Sequence, residues 1–201
     1  MQFVPYVIYT HVREFIEYQG YKPAPAVELD VFVTNIKSTN YHLERADARD
    51  ASDTRDARDL LIIILMEYCA YATSKPRLDS MFSKLKREIA PTTRLILVAG
   101  REFFVRANLS RAAKARGAEV YPYTIFACNQ PEYICNGKYH IMNEQEADDM
   151  LAREFTSRAC LPIISASEAM IIWSGGKPGQ IVMITGISET AGYAVIYRLI
   201  I

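Results

Sequence analysis

Two glutamates of this chain could take part in metal-dependent hydrolysis of a nucleic acid. Nucleases of the two-carboxylate type hold magnesium with an Asp and a Glu-x-Lys pair on neighbouring strands, since carboxylate oxygens are the ligands that magnesium prefers. Glu67 is followed by Tyr68 and Cys69, and Glu102 is followed by two phenylalanines, so the lysine is absent from both places. A metal-dependent nuclease therefore stays an alternative with an incomplete set of residues.

A second group of residues has the types that bind zinc. Cys128, Cys135 and His140 are separated by six and then four residues, and Cys160 could be a fourth ligand. These spacings match no common zinc pattern, and the four cysteines of the chain form no CxxC pair. Free cysteines most often serve as small buried apolar residues. We therefore expect no metal at this cluster.

The sequence indicates no catalytic residue and no cofactor. His11, His42 and His140 have no nucleophile or orienting acid beside them in the sequence, and no glycine elbow surrounds Ser188. The apolar runs are followed by neither GxGxxG nor GxxxxGK[ST], and Gly100 is a single glycine. The chain is therefore predicted not to be an enzyme on its own.

Regularly spaced carboxylates occupy the segment from Glu44 to Asp59, where every third residue is acidic. The segment lacks the central glycine and the twelfth-position glutamate of an EF-hand loop. It also lacks an apolar stripe. We interpret residues 40–59 as a polar, solvated connector that does not contribute to a core.

The elements around these residues predict an α/β module in the first part of the chain. Continuous apolar runs at 60–66 and 94–99 are typical of strands buried on both faces, and helical spacing at 79–89 lies between them, which predicts a parallel βαβ unit. A helix at 102–116 that ends at Gly117 and a strand at 120–127 complete the module. Upstream, a helix is predicted over 6–19, and the pattern of residues 27–36 fits a short helix or a strand, of which we favour the helix.

The last third of the chain predicts a smaller module that ends in a β-hairpin. Asn143 and Glu146 have the spacing of a capping box, and residues 165–168 open a short helix that covers 169–173. Pro178 followed by Gly179 is typical of a type II turn. Two strands rich in β-branched residues follow, joined by a polar turn at 188–192. The fold class is thus α+β, with domains at 1–127 and 128–201.

Positive charge is concentrated in the middle of the chain, although the net charge is zero. Residues 75–116 contain eleven Lys or Arg residues and three acidic residues. Such an excess fits a surface that faces DNA or RNA, and it fits a well-solvated helical surface equally well. No apolar run is long enough to span a bilayer and the N-terminus lacks a basic signal region, so neither a membrane nor secretion is expected.

Three motifs near the C-terminus carry a family resemblance: residues 176–182 (GKPGQIV), residues 188–192 (SETAG) and residues 197–199 (YRL). Together they resemble the C-terminal signature of the fifth shared subunit of eukaryotic nuclear RNA polymerases and of its archaeal counterpart. The resemblance is strong over residues 138–201. It is weaker but collinear upstream, where the first helix, the connector and the βαβ unit follow the order of the eukaryotic N-terminal jaw module.

The resemblance implies an assembly role without catalysis. In the family, the C-terminal module docks on the largest polymerase subunit, and the N-terminal module, an inactive nuclease-like fold, forms part of the jaw beside downstream duplex DNA. Contact with DNA would be weak and independent of base sequence. The implied subunit-interface residues are Gly176, Lys177, Gly179, Gln180, Ser188, Glu189, Thr190, Gly192, Tyr197 and Arg198. The implied DNA-proximal residues are Arg101, Arg106, Arg111 and Lys114.

Some positions depart from the family pattern. Ser167 and Glu168 stand where the family has Asp-Pro, and we expect Ser167 to cap the short helix. Met183, Gly186 and Tyr193 replace residues that are often basic in the family. These departures and the chain length resemble a homologue encoded by a large cytoplasmic DNA virus. The expected compartment is then the cytoplasm of the infected cell and the virion, or the nucleus for a cellular protein.

Overall fold

The computed structural model describes residues 3–39, 41–48, 59–65, 74–88, 93–133, 137–188 and 191–201. The chain divides into two compact units, Met1–Cys128 and Asn129–Ile201. Both units contain a mixed β-sheet with helices, so the fold class is α+β as the sequence predicts.

The N-terminal unit opens with helix α1 (Phe3–Tyr18), strand β1 (Tyr21–Pro23) and helix α2 (Leu29–Thr39). Ile8, Val12 and Phe15 are buried because their spacing places them on one face of α1. The helix ends where the sequence predicts, since Gly20 adopts a φ of 86° that a residue with a Cβ would tolerate poorly. The two predicted N-terminal helices are thereby confirmed.

A five-stranded sheet forms the centre of this unit, in the order β1-β2-β3-β4-β5. Strand β3 (Leu60–Leu65) pairs in parallel with β4 (Arg94–Ala99), and helix α3 (Lys75–Glu88) lies between them in the chain. The predicted βαβ unit is therefore confirmed. Strand β5 (Ala118–Pro122) adds in parallel to β4. It is shorter than predicted, because Pro122 ends the strand and residues 123–126 form a 3-10 helix.

The interpretation of residues 40–59 as a solvated connector is wrong for its first part. Residues Tyr41–Ala48 form strand β2, which pairs antiparallel with both β1 and β3. His42, Glu44 and Ala46 alternate along β2 and are buried. Glu44 is tolerated there because it forms an ion pair with Arg13 of α1 and lies 3.3 Å from the His42 Nε2 atom. Residues 40 and 49–58 lie outside the described part.

Helices cover both faces of the large sheet. One face packs against α3 and against helices α4 (Arg101–Val105) and α5 (Ala107–Lys114), whose buried residues share a core with Ile63, Leu65 and Leu97. The other face packs against α1 and α2, where the rings of Tyr9 and Phe32 lie 4.9 and 4.8 Å from the His42 ring. The helix predicted over 102–116 is thus two helices, which are separated at Arg106, where ψ is 78°.

The C-terminal unit contains a four-stranded sheet in the order β6-β8-β9-β7. Its strands are β6 (Lys138–Ile141), β7 (Ile163–Ile164), β8 (Ile181–Ser188) and β9 (Gly192–Ile200). Helix α6 (Glu144–Arg153) covers one face, where Met150 packs near Ile181, and helix α7 (Ala169–Trp173) covers the other, where Ile171 packs near Val182. The hairpin β8–β9 is therefore confirmed.

The two helices of this unit begin differently. Asn143 and Glu146 form the predicted capping box, in which the Asn143 side chain accepts from the Glu146 N–H and the Glu146 carboxylate accepts from the Asn143 N–H. Ser167 does not cap α7 as expected. Glu168 is the N-cap residue and makes no side-chain cap bond, while the Ser165 hydroxyl accepts from the Ser167 N–H at 3.2 Å. Among the described residues, no helix is long and apolar enough to cross a membrane.

Candidate interaction surfaces

The long hairpin of the C-terminal unit is continuous in register from one end to the other. Ile181 lies opposite Leu199, and Ser188 lies opposite Gly192, without an inserted residue between these pairs. Nine residues of β9 span about 27 Å at the usual rise per strand residue. The hairpin is therefore a regular two-stranded element with two ends, one at the core and one at the turn.

The predicted turn before the hairpin lies at its core end. The Gln180 N–H donates to the Lys177 carbonyl at 3.2 Å, and Gly179 adopts a φ of 91°. These two features are those of the predicted type II turn. The Gln180 side chain accepts from the Lys177 N–H at 2.7 Å, and the Gly179 N–H donates to the Ile200 carbonyl at 2.9 Å. A main-chain hydrogen bond thus joins the turn to the C-terminal end of β9.

Arg158 fixes this turn to helix α6. Its guanidinium donates to the Gly179 carbonyl at 3.2 Å, forms an ion pair with Glu144 and lies 3.6 Å from Asp148. The hydrogen bond with Glu144 raises the pKa of Arg158 above its ordinary value. Arg158 connects three segments of the unit, and the sequence patterns do not indicate this role.

Gly176 is required by packing. A Cβ atom built at this position would lie 2.8 Å from Ile200 Cδ1, 2.9 Å from Ile171 Cγ2 and 3.0 Å from Ile141 Cδ1. These distances are shorter than van der Waals contact between carbon atoms. The glycine of the motif therefore serves the core of the unit rather than an exposed surface.

Tyr197 and Arg198 point to opposite faces of β9 because they are consecutive strand residues. The Tyr197 hydroxyl accepts from the Arg153 guanidinium at 3.0 Å on the α6 side. The Arg198 guanidinium donates to the Ile163 carbonyl at 3.3 Å. Both side chains are half-buried, so part of each stays accessible to a partner.

The turn end of the hairpin holds the remaining residues of the predicted interface. The Ala191 N–H donates to the Ser188 hydroxyl at 3.3 Å, and Gly192 has a φ of 73°, as a tight polar turn requires. Glu189 and Thr190 lie outside the described part of the chain. The structure therefore places the described members of the predicted interface at the two ends of one hairpin and does not bring them together in one patch.

Apolar residues near the turn end were not predicted as part of a surface. Ile187 and Tyr193 lie opposite each other and are 75% and 74% exposed, and Val195 is 50% exposed. Ile196, on the other face, is also exposed. One feature of the sequence could have predicted this surface: residues 193–197 do not alternate between apolar and polar side chains. A strand that is apolar on both faces is usually buried on both faces by other parts of the protein or by a partner.

The predicted DNA-proximal residues lie in the N-terminal unit on α4, α5 and the bend between them. Arg101, Arg111 and Lys114 are exposed, and Arg106 is exposed at the bend. Helix α3 contacts α5 and adds the exposed residues Arg77, Lys84 and Arg87. Apart from Arg106, these residues have no ion-pair partner in the described part of the chain, whereas Arg116 is paired with Asp79 at 2.8 Å. We refer to seven exposed basic residues as the basic layer: Arg77, Lys84, Arg87, Arg101, Arg106, Arg111 and Lys114.

The residues considered for metal chemistry are not assembled in the described ranges. Among them, no group of three or more His, Cys, Asp or Glu residues could hold a metal ion. Cys128 is half-buried and Cys160 is exposed, and Cys69, Cys135 and Glu67 lie outside the described residues. Glu102 lies in α4 and not on a strand. Nothing here supports the nuclease alternative.

Two histidines contact glutamates, although the sequence shows no acid beside them. His42 is buried with Glu44, and His140 lies 3.1 Å from the exposed carboxylate of Glu146. The pKa of Glu146 is lowered, first by the hydrogen bond from the Asn143 backbone and then by His140. Burial, followed by the charge of Glu168, raises the pKa of Tyr139. The carboxylate partner of His140 is the same one that caps α6, which indicates a structural role.

Comparison with known proteins defines the class of the C-terminal unit. The sequence model of the family described as RNA polymerase Rpb5, C-terminal domain, matches residues 129–200. The match begins where the C-terminal unit begins and includes the whole hairpin. This unit is therefore a domain of the polymerase-subunit class.

Curated relatives extend the comparison to the rest of the chain. A DNA-directed RNA polymerase RPB5 homolog of African swine fever virus, isolate Tick/Malawi, is 27% identical over 96% of this chain and 95% of its own length. The DNA-directed RNA polymerase subunit Rpo5 of Thermococcus kodakarensis is 31% identical over 35% of this chain and 85% of its own length. That of Thermococcus celer is 36% identical over 32% and 78%. The chain belongs to the RPB5 family of RNA polymerase subunits, a class without a catalytic role of its own.

Proposed function

We propose that this protein is an assembly subunit of a multisubunit DNA-directed RNA polymerase, in which it docks on the largest subunit and contributes to the downstream-DNA jaw. The observation that carries the proposal is the match to viral RPB5 homologs over nearly the whole chain, N-terminal unit included. A role confined to the C-terminal unit would not require a relative of that length.

The C-terminal unit is the docking module in this proposal. Its predicted interface residues flank a hairpin with exposed apolar side chains, and exposed apolar surface of this kind typically marks a contact with another protein. Tyr197 and Arg198 combine an aromatic ring and a guanidinium, which are residue types enriched at binding hot spots. These two half-buried residues lie opposite Met183 and Val182, near the core end of the hairpin.

The N-terminal unit is the jaw module, with an inactive nuclease-like fold. The basic layer supports this role, because exposed guanidinium and ammonium groups bind phosphates without reading the bases. The contact is weak and depends on salt. The proposed module boundary, between residues 127 and 128, differs by one residue from that of the compact units.

The relatives from African swine fever virus support a viral source, as the sequence departures predict. We place the protein in the cytoplasm of the infected cell and in the virion. Its partners are then the other subunits of the viral polymerase, among which the largest subunit is the docking partner.

Affinity purification tests the docking. The full chain, tagged at its N-terminus, is co-expressed with the largest polymerase subunit of the same genome, and the two chains should purify together in equal amounts. The double variant Arg198→Ala/Glu189→Ala should reduce recovery of the partner roughly tenfold, since hot-spot residues often contribute more than 1 kcal/mol. Lys138→Ala, an exposed residue on β6, is the matched control and should leave recovery unchanged. Absence of the partner from the wild-type preparation would refute the docking role.

A salt titration tests the jaw role separately. The purified complex is bound to a fluorescent duplex DNA of random sequence at increasing salt concentrations. The variant Arg111→Gln/Lys114→Gln should make the negative slope of log affinity against log salt shallower, by about 0.9 for each phosphate that it no longer neutralises. Lys22→Gln, an exposed residue of β1, is the control for a change of charge alone. Equal slopes for all three proteins would refute the assignment of DNA binding to the basic layer.

A further inference from the structure

The hydrogen bonding of the hairpin determines which main-chain groups of β9 point outwards. The Ile200 N–H donates to the Gln180 carbonyl at 2.9 Å, so even-numbered residues of β9 bond to β8. On the opposite side, the Leu199 N–H donates to the Pro162 carbonyl at 2.8 Å. The odd-numbered residues therefore direct both their N–H and their C=O groups away from β8.

Among the residues that the structure describes, this outer edge is occupied at its C-terminal end only. Strand β7 pairs with Leu199 and Ile200 and extends no further. In the described part of the chain, the main-chain N–H and C=O groups of Tyr193, Val195 and Tyr197 have no hydrogen-bond partner. These residues span about 14 Å of strand, which is enough for a segment of roughly five residues to pair alongside.

Within residues 193–197 and their register with β8, the usual protections of an edge strand against strand addition are absent. Proline, inward-pointing charge, bulges and short length are the usual protections. Residues 193–197 contain no proline and no lysine, and the register with β8 has no bulge. The exposed side chains of Tyr193, Val195 and Ile196 flank the edge on both faces. A strand that paired here would therefore gain apolar contacts as well as main-chain hydrogen bonds.

We infer that the outer edge of β9, residues 193–197, is the docking site for an extended segment of the largest polymerase subunit, which joins the sheet as an additional strand. The inference rests on the proposed function for the identity of the partner. Main-chain pairing selects an extended, proline-free segment, and the exposed side chains select apolar β-branched or aromatic residues in it. The added strand lies end to end with β7, which already shows that this edge accepts a neighbouring strand.

Residue-resolved amide hydrogen exchange tests the inference on the unmodified protein. The free chain is compared with its complex with the largest subunit of the same genome. In the free chain, the amides of Tyr193, Val195 and Tyr197 should exchange fast and those of Ala194, Ile196 and Arg198 slowly. Complex formation should slow the three odd-numbered amides by roughly tenfold or more, because ladder amides exchange only after local opening. The even-numbered amides should change little.

The outcomes separate the inference from the proposed function. A complex that forms without protection of the odd-numbered amides overturns the strand addition and leaves the docking role intact. Failure to form a complex overturns both. Protection that appears in the free chain as its concentration is raised, together with a dimer in sedimentation, assigns the edge to a second copy and also overturns the inference.

A pair of variants at one position provides an independent test. Val195→Pro removes an outward N–H without removing a bond to β8, whereas Val195→Thr keeps the N–H and the β-branched shape. The proline variant should bind the largest subunit roughly tenfold or more weakly, and the threonine variant should bind as the wild type does. Circular dichroism and the exchange of the Ala194 amide confirm that the hairpin persists. Equal affinity of the two folded variants overturns the inference, and if the proline variant does not fold, the exchange experiment alone decides.

Discussion

Arg94 and Glu119 form a two-point ion pair between the neighbouring strands β4 and β5. The Arg94 Nε donates to Glu119 Oε1 at 2.9 Å, and Nη2 donates to Oε2 at 2.8 Å. The third guanidinium nitrogen of Arg94, Nη1, donates to the Gln19 Oε1 atom at 2.7 Å, and Gln19 lies just after α1. Burial would lower the pKa of Arg94, but the hydrogen bonds and charge of Glu119 outweigh it, and the pKa lies above its ordinary value. The pair connects the first helix to an edge of the sheet.

Replacing Glu119 with Gln should destabilise the protein by about 1–2 kcal/mol, since a mostly buried guanidinium would lose its counter-charge and one of its acceptors. The value is below that of a fully buried pair because the Glu119 side chain is 39% exposed. Urea unfolding at pH 7 measures the change. Glu17→Gln, an exposed residue of α1, is the matched control and should stay within about 0.5 kcal/mol of the wild type. Equal midpoints for the two variants would contradict a stabilising role for the pair.

Replacing Gly176 with Ala should destabilise the C-terminal unit by about 1–3 kcal/mol, because the new methyl group would overlap three isoleucine side chains of the core. Adding Ile200→Val removes the nearest of the overlapping atoms and should restore part of the stability. Gly186→Ala is the control, because a Cβ there meets no atom within 4 Å. Thermal unfolding of the three variants measures the change in stability. If Gly176→Ala were as stable as the control, the prediction that a methyl group at this position is destabilising would be wrong.

Replacing Phe155 with Gly should stabilise the protein by about 0.5–1 kcal/mol. Phe155 follows α6 with a φ of 48°, a left-handed conformation that costs residues with a Cβ about 1–2 kcal/mol. Its side chain is 98% exposed, so removing the ring sacrifices little packing. Phe155→Ala keeps the backbone cost and should leave stability nearly unchanged. If the glycine and alanine variants have the same urea midpoint, backbone strain is not the relevant property of this position.

Replacing Glu146 with Gln should lower the free energy of unfolding at neutral pH, and it should lower it less in acid. The pKa of this carboxyl is lowered in the folded protein, so its charged form adds stability above the ordinary value of 4.5. That contribution disappears as the pH falls through the lowered pKa. Urea midpoints from pH 7 to pH 3 should therefore converge for the wild type and Glu146→Gln. The control is Glu132→Gln, an exposed residue of the same unit outside the capping box, which should lower the urea midpoint at pH 7 less than Glu146→Gln does.

Much of the fold follows from local patterns. The runs at 60–65 and 94–99 are apolar enough to require burial on both faces, and a connection that contains a helix makes such strands parallel. The capping box depends on residues three positions apart, and the turn before the hairpin depends on a Pro-Gly pair. In each case, the atoms that interact are close in sequence, so the pattern carries the information.

Strand β2 was not predicted because its stability comes from distant residues. Glu44 is polar and 2% exposed, and its acceptable burial depends on Arg13, which another element supplies 31 residues away. The same holds for the candidate sites. The implied interface residues are defined by motifs, but the positions of the basic layer and of the exposed apolar side chains depend on how helices and strands pack.

The sequence alone determined the periodicity of most elements, the capping box of α6, the turns of the C-terminal unit, and the family to which the motifs belong, because these properties reside in neighbouring residues. Only the tertiary structure decided that β2 joins the sheet between β1 and β3, which charges are buried together and which edge of β9 stays open in the described residues. The physical reason is that main-chain hydrogen bonds between strands do not depend on side-chain identity, so the partner of each strand is set by the packing of the whole unit.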